Sequence, residues 1–151
     1  LRVIEFDNME HGLAIAKAIP RIFNPEADRV ISHSLDGELL GGVIYTDMIS
    51  NCIFMHQAGF DKRWLMGDLI WVAFDYPFNQ LGLGVVCGTV PSAKTTLVDF
   101  NLRLGFKIEC AIRGAYRDGD LLVMAMRRDE CRWLNMKPKS IVSLSGSETL
   151  Q

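Results

Sequence analysis

Apolar and polar positions alternate along this chain in two rhythms, and each change of rhythm marks an element. "RVIEF", Arg2 to Phe6, is a short β-rich run. From Asp7 the spacing lengthens. Leu13, Ala16, Ile19 and Ile22 recur at helical intervals, Asp7 or Asn8 can cap the start, and Pro20 ends the helix early. After the turn-rich "NPEADR", the runs "RVISHSL" and "ELLGGVIYTDM" flank Asp36-Gly37. That pair signals a hairpin, because a type I′ turn needs positive φ at both central residues. "ISN" turns the next corner and "CIFMHQAGF" supplies a third strand, so an antiparallel meander follows the first helix.

Leu65, Leu69, Val72, Ala73 and Tyr76 then mark one face of a second helix, with Pro77 kinking its last turn and Gly82 stopping it. "LGVVCGTV", Leu83 to Val90, is almost unbroken in apolar character and predicts a strand buried on both faces near the sheet centre. In "VPSAKTTLVDFNLRLGF", Ser92 is the expected cap of a helix from about Lys94 to Leu104. Leu97, Phe100 and Leu104 point inward, and Gly105 is the left-handed residue that ends it. "FKIECAIRGAY" and "DLLVMAMRR" flank Asp118-Gly119, a second hairpin signal. The order β-α-β-β-β-α-β-α-β-β predicts an α/β fold of the α+β type: a mixed, mostly antiparallel central sheet with helices on both faces. Residues 1–136 form the expected domain. Residues 137–151 offer little to bury and read as a flexible or partner-docking tail.

Composition narrows the function classes. With 151 residues the chain can bury a core without staples. A net charge of −2 weighs against a partner held by its phosphate backbone. Cys52, Cys87, Cys110 and Cys131 show no metal-ligand spacing and read as buried free thiols, so no metal is expected. No apolar run approaches the ~20 residues that span a bilayer, and no signal-peptide pattern opens the sequence. The expected setting is the cytoplasm, with no membrane partner. His11 and His33 read as surface residues, and Trp71 as core.

The element order from Val3 to about Leu134 resembles the GNAT superfamily of acetyl-CoA-dependent N-acetyltransferases. The most specific part is a buried strand, "LGVVCGTV", then a polar turn, "PSAK", then a helix, "TTLVDFNLRL", and the doublet Gly105-Phe106. "FDYPFNQLGL" and "GDLLVMAMRRDECRW" are similar to passages of the ribosomal-protein-acetylating branch and of compact bacteriophage members. A phage origin would place the protein in the host cytoplasm.

The resemblance implies acetyl-CoA as cosubstrate and a primary amine, on a small molecule or a protein, as acceptor. It implies a cleft between the third meander strand and the buried strand. There the backbone of His56, Gln57, Ala58 and Gly59 holds the pantetheine arm. The pyrophosphate loop falls on Lys62 to Asp68, with Arg63, Trp64, Leu65, Met66 and Gly67 as contacts, and Ser92 and Lys94 lie across the cleft. Three departures stand out. Trp64 and Met66 occupy positions where small residues are usual, and Asp68 would repel phosphate. Lys94 stands where an Asn is common. Asn101 replaces the Tyr that protonates the leaving thiolate in many members, and an amide cannot deliver that proton. His56 is the expected general base, with activity rising through its ordinary pKa of about 6.5, and Asp47 is the alternative proton acceptor or holder of a cationic amine. The rival reading is a catalytically degenerate GNAT-fold binding or assembly module, for example in a phage particle. A homo-oligomer is compatible with either.

Overall fold

The first helix begins where a side chain can satisfy its free amides: Asn8 accepts the N–H of His11 at 3.0 Å. In this computed structural model, which describes residues 1–66, 68–136, 138 and 144–145, strand β1 (Arg2–Phe6) leads into α1 (Met9–Ala18). The buried row of α1 is Gly12, Ile15 and Ala16. Leu13 and Ile22, assigned inward by spacing, are 60% and 90% exposed. Gly12 sets the row: a Cβ there would come within 2.6 Å of the Phe23 ring, which closes over the helix from the following loop.

The meander is β2 (Arg29–Leu35), β3 (Glu38–Ile49) and β4 (Cys52–Gly59). Asp36 and Gly37 both have positive φ, +50° and +84°, as a type I′ hairpin requires. Helix α2 (Leu69–Asp75) is shorter than its pattern and passes into a π-helical turn, Tyr76–Gln80. Pro77 has no N–H to donate back, and the ladder widens around it: the Leu81 N–H reaches the Tyr76 carbonyl at 2.9 Å. Next come β5 (Val85–Pro91), α3 (Thr95–Leu104), β6 (Lys107–Tyr116) and β7 (Gly119–Arg127). The second hairpin turns on Arg117 and Asp118, with Tyr116 opposite Gly119, one residue earlier than the Asp-Gly pair suggests.

The strands form one eight-stranded sheet in the order β6-β7-β5-β4-β3-β2-β1-β8. Among the described residues, only β4–β5 and β1–β8 are parallel. Strand β8 (Leu144–Ser145) lies against Ile4 and Glu5, so that part of the expected loose tail is in the sheet. Except for residue 138, the rest of 137–151 lies outside the described residues. Helix α1 packs on one face over Val30 and Ile44. On the other face, α2 and α3 bury Leu69, Val72, Phe74 and Leu104 against Ile31, Val43, Ile53 and Val86. The predicted α/β layering therefore holds.

The expected burial of the Leu83–Val90 strand on both faces fails. Strand β5 is buried only at Val86 and Val90, and the ten residues of β6 are all exposed. Helix α1 covers β2, β3 and β4, which leaves the outer face of the β5–β7–β6 half without a helix. Of the four free cysteines, only Cys131 is buried, and Cys110 is exposed.

Gly105 ends α3 at φ +118°, with its N–H on the carbonyls of Asn101 and Leu102. Gly105→Ala should cost about 1–2 kcal/mol, because an L side chain is strained there. Urea denaturation would read this as a lower midpoint with an unchanged slope.

Candidate functional site

Strands β4 and β5 are joined over three residue pairs: Cys52 with Val85, Ile53 with Val86, and Phe54 with Cys87. Beyond Phe54 each strand follows its own outer partner. β4 pairs with β3 as far as Gly59 opposite Gly41, and β5 pairs with β7 as far as Pro91 opposite Leu121. The strands therefore part from Met55 onward, and Gln57, Ala58 and Gly59 have no strand partner on the β5 side. The opening holds a cavity of about 810 Å³ lined by His56, Gly88, Lys94 and Asn101. It is continuous in its lining with one of about 590 Å³ bounded by Gln57, Trp64, Thr95 and Phe100. The predicted edge residues Gln57, Ala58 and Gly59 line both.

The loop expected to cradle phosphate is folded differently. The Arg63 guanidinium is spread across Asp61, Nε to Oδ1 at 2.9 Å and Nη2 to Oδ2 at 2.8 Å. That fork holds the Asp61 carboxyl well below the usual carboxylate range. The N–H groups of Trp64 and Met66 bond back to Asp61 and Arg63 carbonyls. Leu65 packs against the core and Met66 is exposed. Gly67 lies outside the described residues. Asp68 is buried and its side chain does not cap α2.

Trp64 is the best-fixed residue of this loop. Its indole lies on the backbone of Gly59, where a Cβ would sit 2.3 Å from Cδ1. Its carbonyl takes a 2.8 Å bond from Nδ1 of His33, which is 1% exposed and not at the surface as expected. Burial lowers the His33 pKa, partly offset by that bond.

Across the cleft, Ser92 does not cap α3. Its Oγ accepts the Asp120 N–H at 2.8 Å and ties the helix approach to the β6–β7 hairpin. Lys94 is the N-cap residue of α3 and makes no side-chain cap bond. It lines both cavities beside the first residues of the helix. Asn101 donates Nδ2–H to the Leu97 carbonyl at 2.9 Å and accepts Gln57 Nε2–H at 3.0 Å. The Gln57 bond spans the opening between β4 and α3.

At the inner end, His56 Nε2 lies 2.8 Å from Arg21 Nη1 and 2.9 Å from Thr46 Oγ1. A guanidinium only donates, so the Nε2 lone pair faces it and the ring proton sits on Nδ1. Burial first, then the Arg21 charge, lower the His56 pKa to about 4, against smaller opposing effects of Asp47 and Asp28. The expected titration near 6.5 is thus displaced, because a second positive charge would form beside Arg21. Asp47 stands in a bulge of β3 at φ +53° and accepts the Thr46 hydroxyl at 2.9 Å. Thr46 has one hydroxyl hydrogen and Asp47 takes it, so Thr46 Oγ1 and His56 Nε2 lie in contact with no proton between them. The sequence shows neither Arg21 nor Thr46 as a site residue. The α1–β2 loop and the β3 register bring them in, and no local motif marks either.

The chain matches no family model and no curated protein. Solved structures do share its fold. A putative acetyltransferase of the GNAT family from Desulfovibrio desulfuricans is 13% identical over 84% of this chain and 99% of its own, with a TM-score of 0.66. Spermidine/spermine N-acetyltransferase SpeG from Vibrio cholerae, in complex with manganese ions, is 20% identical over 72% of this chain and 69% of its own, with a TM-score of 0.59. A chimera of Vibrio cholerae SpeG and hSSAT is 20% identical over 73% and 72%, with a TM-score of 0.59. The GNAT-like fold expected from the sequence is the fold observed.

His56 should remain neutral through the physiological range. Its folded pKa of about 4 lies below the unfolded value of about 6.5, so the unfolded chain binds the extra proton first. This residue's contribution to stability should be full above pH 6.5 and decline as pH falls toward 4. An NMR titration should show no His56 midpoint near 6.5, and Arg21→Gln should move the midpoint upward.

Proposed function

We propose that this protein is an acetyl-CoA-dependent N-acetyltransferase acting on a primary amine. One observation carries the reading: the strand edge from Gln57 to Gly59 lacks a partner on the β5 side and lines two adjoining cavities of about 810 and 590 Å³. A pantetheine arm has the amide groups to pair with such an edge as an added strand does. The fit is good along β4 and poor at the 61–68 turn, where Arg63 is already paired and Asp68 has the wrong sign. Phosphate recognition therefore shifts to Lys94 and the uncapped start of α3, where exposed amides and the helix dipole favour an anion. Trp64 becomes an apolar wall for the arm.

The reacting end of the arm would reach the point where β4 and β5 part. There the β4 backbone can polarise the thioester carbonyl. His56 presents a neutral imidazole whose one lone pair already faces Arg21, so the amine proton goes to the Asp47 carboxylate or to water. Asn101 supplies an amide rather than an acid, so the departing thiolate takes its proton from water. On this reading the setting is the cytoplasm, and the Tyr76–Leu83 passage keeps its likeness to the ribosomal-protein-acetylating branch and to phage members. The second reading, a binding module without transfer, draws on the Gln57–Asn101 bond, which crosses the space an arm would occupy.

Acetyl-CoA at ~100 times its dissociation constant should raise stability by about 2.7 kcal/mol, read as a thermal shift. No shift at saturating concentration would sink the cosubstrate. A shift without turnover of any amine would select the binding module. Lys94→Ala should weaken acetyl-CoA roughly tenfold or more, the worth of one charge-assisted contact, whereas Arg63→Ala should change it little. The reverse order, measured by calorimetry, would return the phosphates to the 61–68 turn. With His56 neutral throughout, kcat/KM should show no inflection near pH 6.5.

A further inference from the structure

Among the described residues, Arg21 is a cation without an anion. It follows α1, its N–H bonds the Ala16 carbonyl at 3.1 Å, and its side chain lines the 810 Å³ cavity with His56 and Asn101. Among the described residues its guanidinium forms no ion pair. Its one side-chain hydrogen bond is to His56 Nε2, a neutral partner. Its Nε is shut off from solvent and has no hydrogen-bond partner. The two carboxylates whose fields reach His56 are otherwise engaged. Asp28 accepts the Asn24 N–H at 2.8 Å, and Asp47 accepts the Thr46 hydroxyl at 2.9 Å. A partly buried charge left in this state is costly, and the cost falls when a carboxylate reaches the guanidinium from the cavity.

We infer that the amine acceptor also carries a carboxylate, which Arg21 binds: an amino-acid-like substrate. The inference rests on the acetyl-transfer reading for the reaction, and on Arg21 alone for the anion. The other wall of the cavity has Asp118, from the β6–β7 turn, whose charge suits an ammonium. A substrate with both groups meets both signs. In the reaction, the amine nitrogen bonds to the acetyl carbon, the C–S bond breaks, and the proton lost by the amine balances the one gained by the thiol. A polyamine such as the spermidine named for SpeG would bring only positive charge toward Arg21.

The test uses the full chain and small probes. The Nε–Hε NMR signal of Arg21, assigned by its loss in Arg21→Lys, is followed with glycine, glycinamide and spermidine. Glycine should shift it, and the two probes without a carboxylate should not. No shift with glycine, or an equal shift with glycinamide, overturns the inference even if acetyl-CoA binds. A shift with glycine in a protein that acetyl-CoA does not stabilise keeps the anion site and removes the transfer reading alone. With acetyl-CoA, amino acids should be acetylated in preference to their amides. Arg21→Gln should reduce that preference, the ratio of the two kcat/KM values, by roughly tenfold or more. An unchanged ratio, or preference for a polyamine in the parent protein, overturns it as well.

Discussion

Three residue pairs hold the two halves of this sheet together along their strands. Cys52, Ile53 and Phe54 meet Val85, Val86 and Cys87, and from there each strand keeps faith with its outer neighbour. A longer parallel zip would close the cleft, and a shorter one would cut the sheet in two. Everything at the site follows from where that zip ends. The backbone of Gln57 to Gly59 is left with hydrogen-bonding groups that water or an extended ligand must satisfy. The side chains on either side of the gap then decide what enters. Helices α2 and α3 bridge the halves on one face through Phe74 and Leu104, with Phe106 just after α3 packed in the same core, so the gap is braced by packing.

Charge divides the cleft by depth. At the mouth, Arg63 and Asp61 cancel each other, and Lys94 stands by an uncapped helix start. Deeper in, Arg21 bonds a neutral imidazole, and its effect on the ring outweighs those of Asp47 and Asp28. Desolvation makes that inner charge count for more, since a partly buried guanidinium is less screened than one in water. The same desolvation keeps His56 unprotonated. Burial first and then this one arginine hold the imidazole neutral, and the arginine also bears on the kind of molecule that can rest beside it.

Much of the architecture was legible because local signals and tertiary demands agree. Asp36-Gly37 has the φ pair that its hairpin needs, Asn8 caps as its type suggests, and Gly105 stops α3. Legibility failed where a residue's environment comes from a distant segment. The covering of β5 depends on how far α1 reaches across the sheet, which no pattern within β5 reveals. His33 looks polar and exposed in sequence, yet Trp64, thirty-one positions on, gives it a buried partner. The site divides the same way. The β4 edge could be placed from the family resemblance, whereas Arg63 carries suitable chemistry that its neighbour Asp61 has already claimed, and Ser92 is claimed by Asp120 from a distant hairpin. Arg21 had no sequence signal because its meaning lies in the missing counterion.

Strand β6 bears on the protein's life in solution. It pairs with β7 on one side only, and Ile108, Ile112 and Tyr116 stand exposed along it. A flat strand of this kind would be a template for a stranger's backbone. Its rhythm is broken twice, between Ile108 and Cys110 and between Ile112 and Tyr116, and Gly114 turns through φ +71° in the second break. Lys107, Glu109 and Arg113 set charges of both signs along it. A newcomer cannot stay in step with the donors and acceptors for more than a few residues. The irregularity that makes β6 a poor strand also makes its open edge a poor template for another chain.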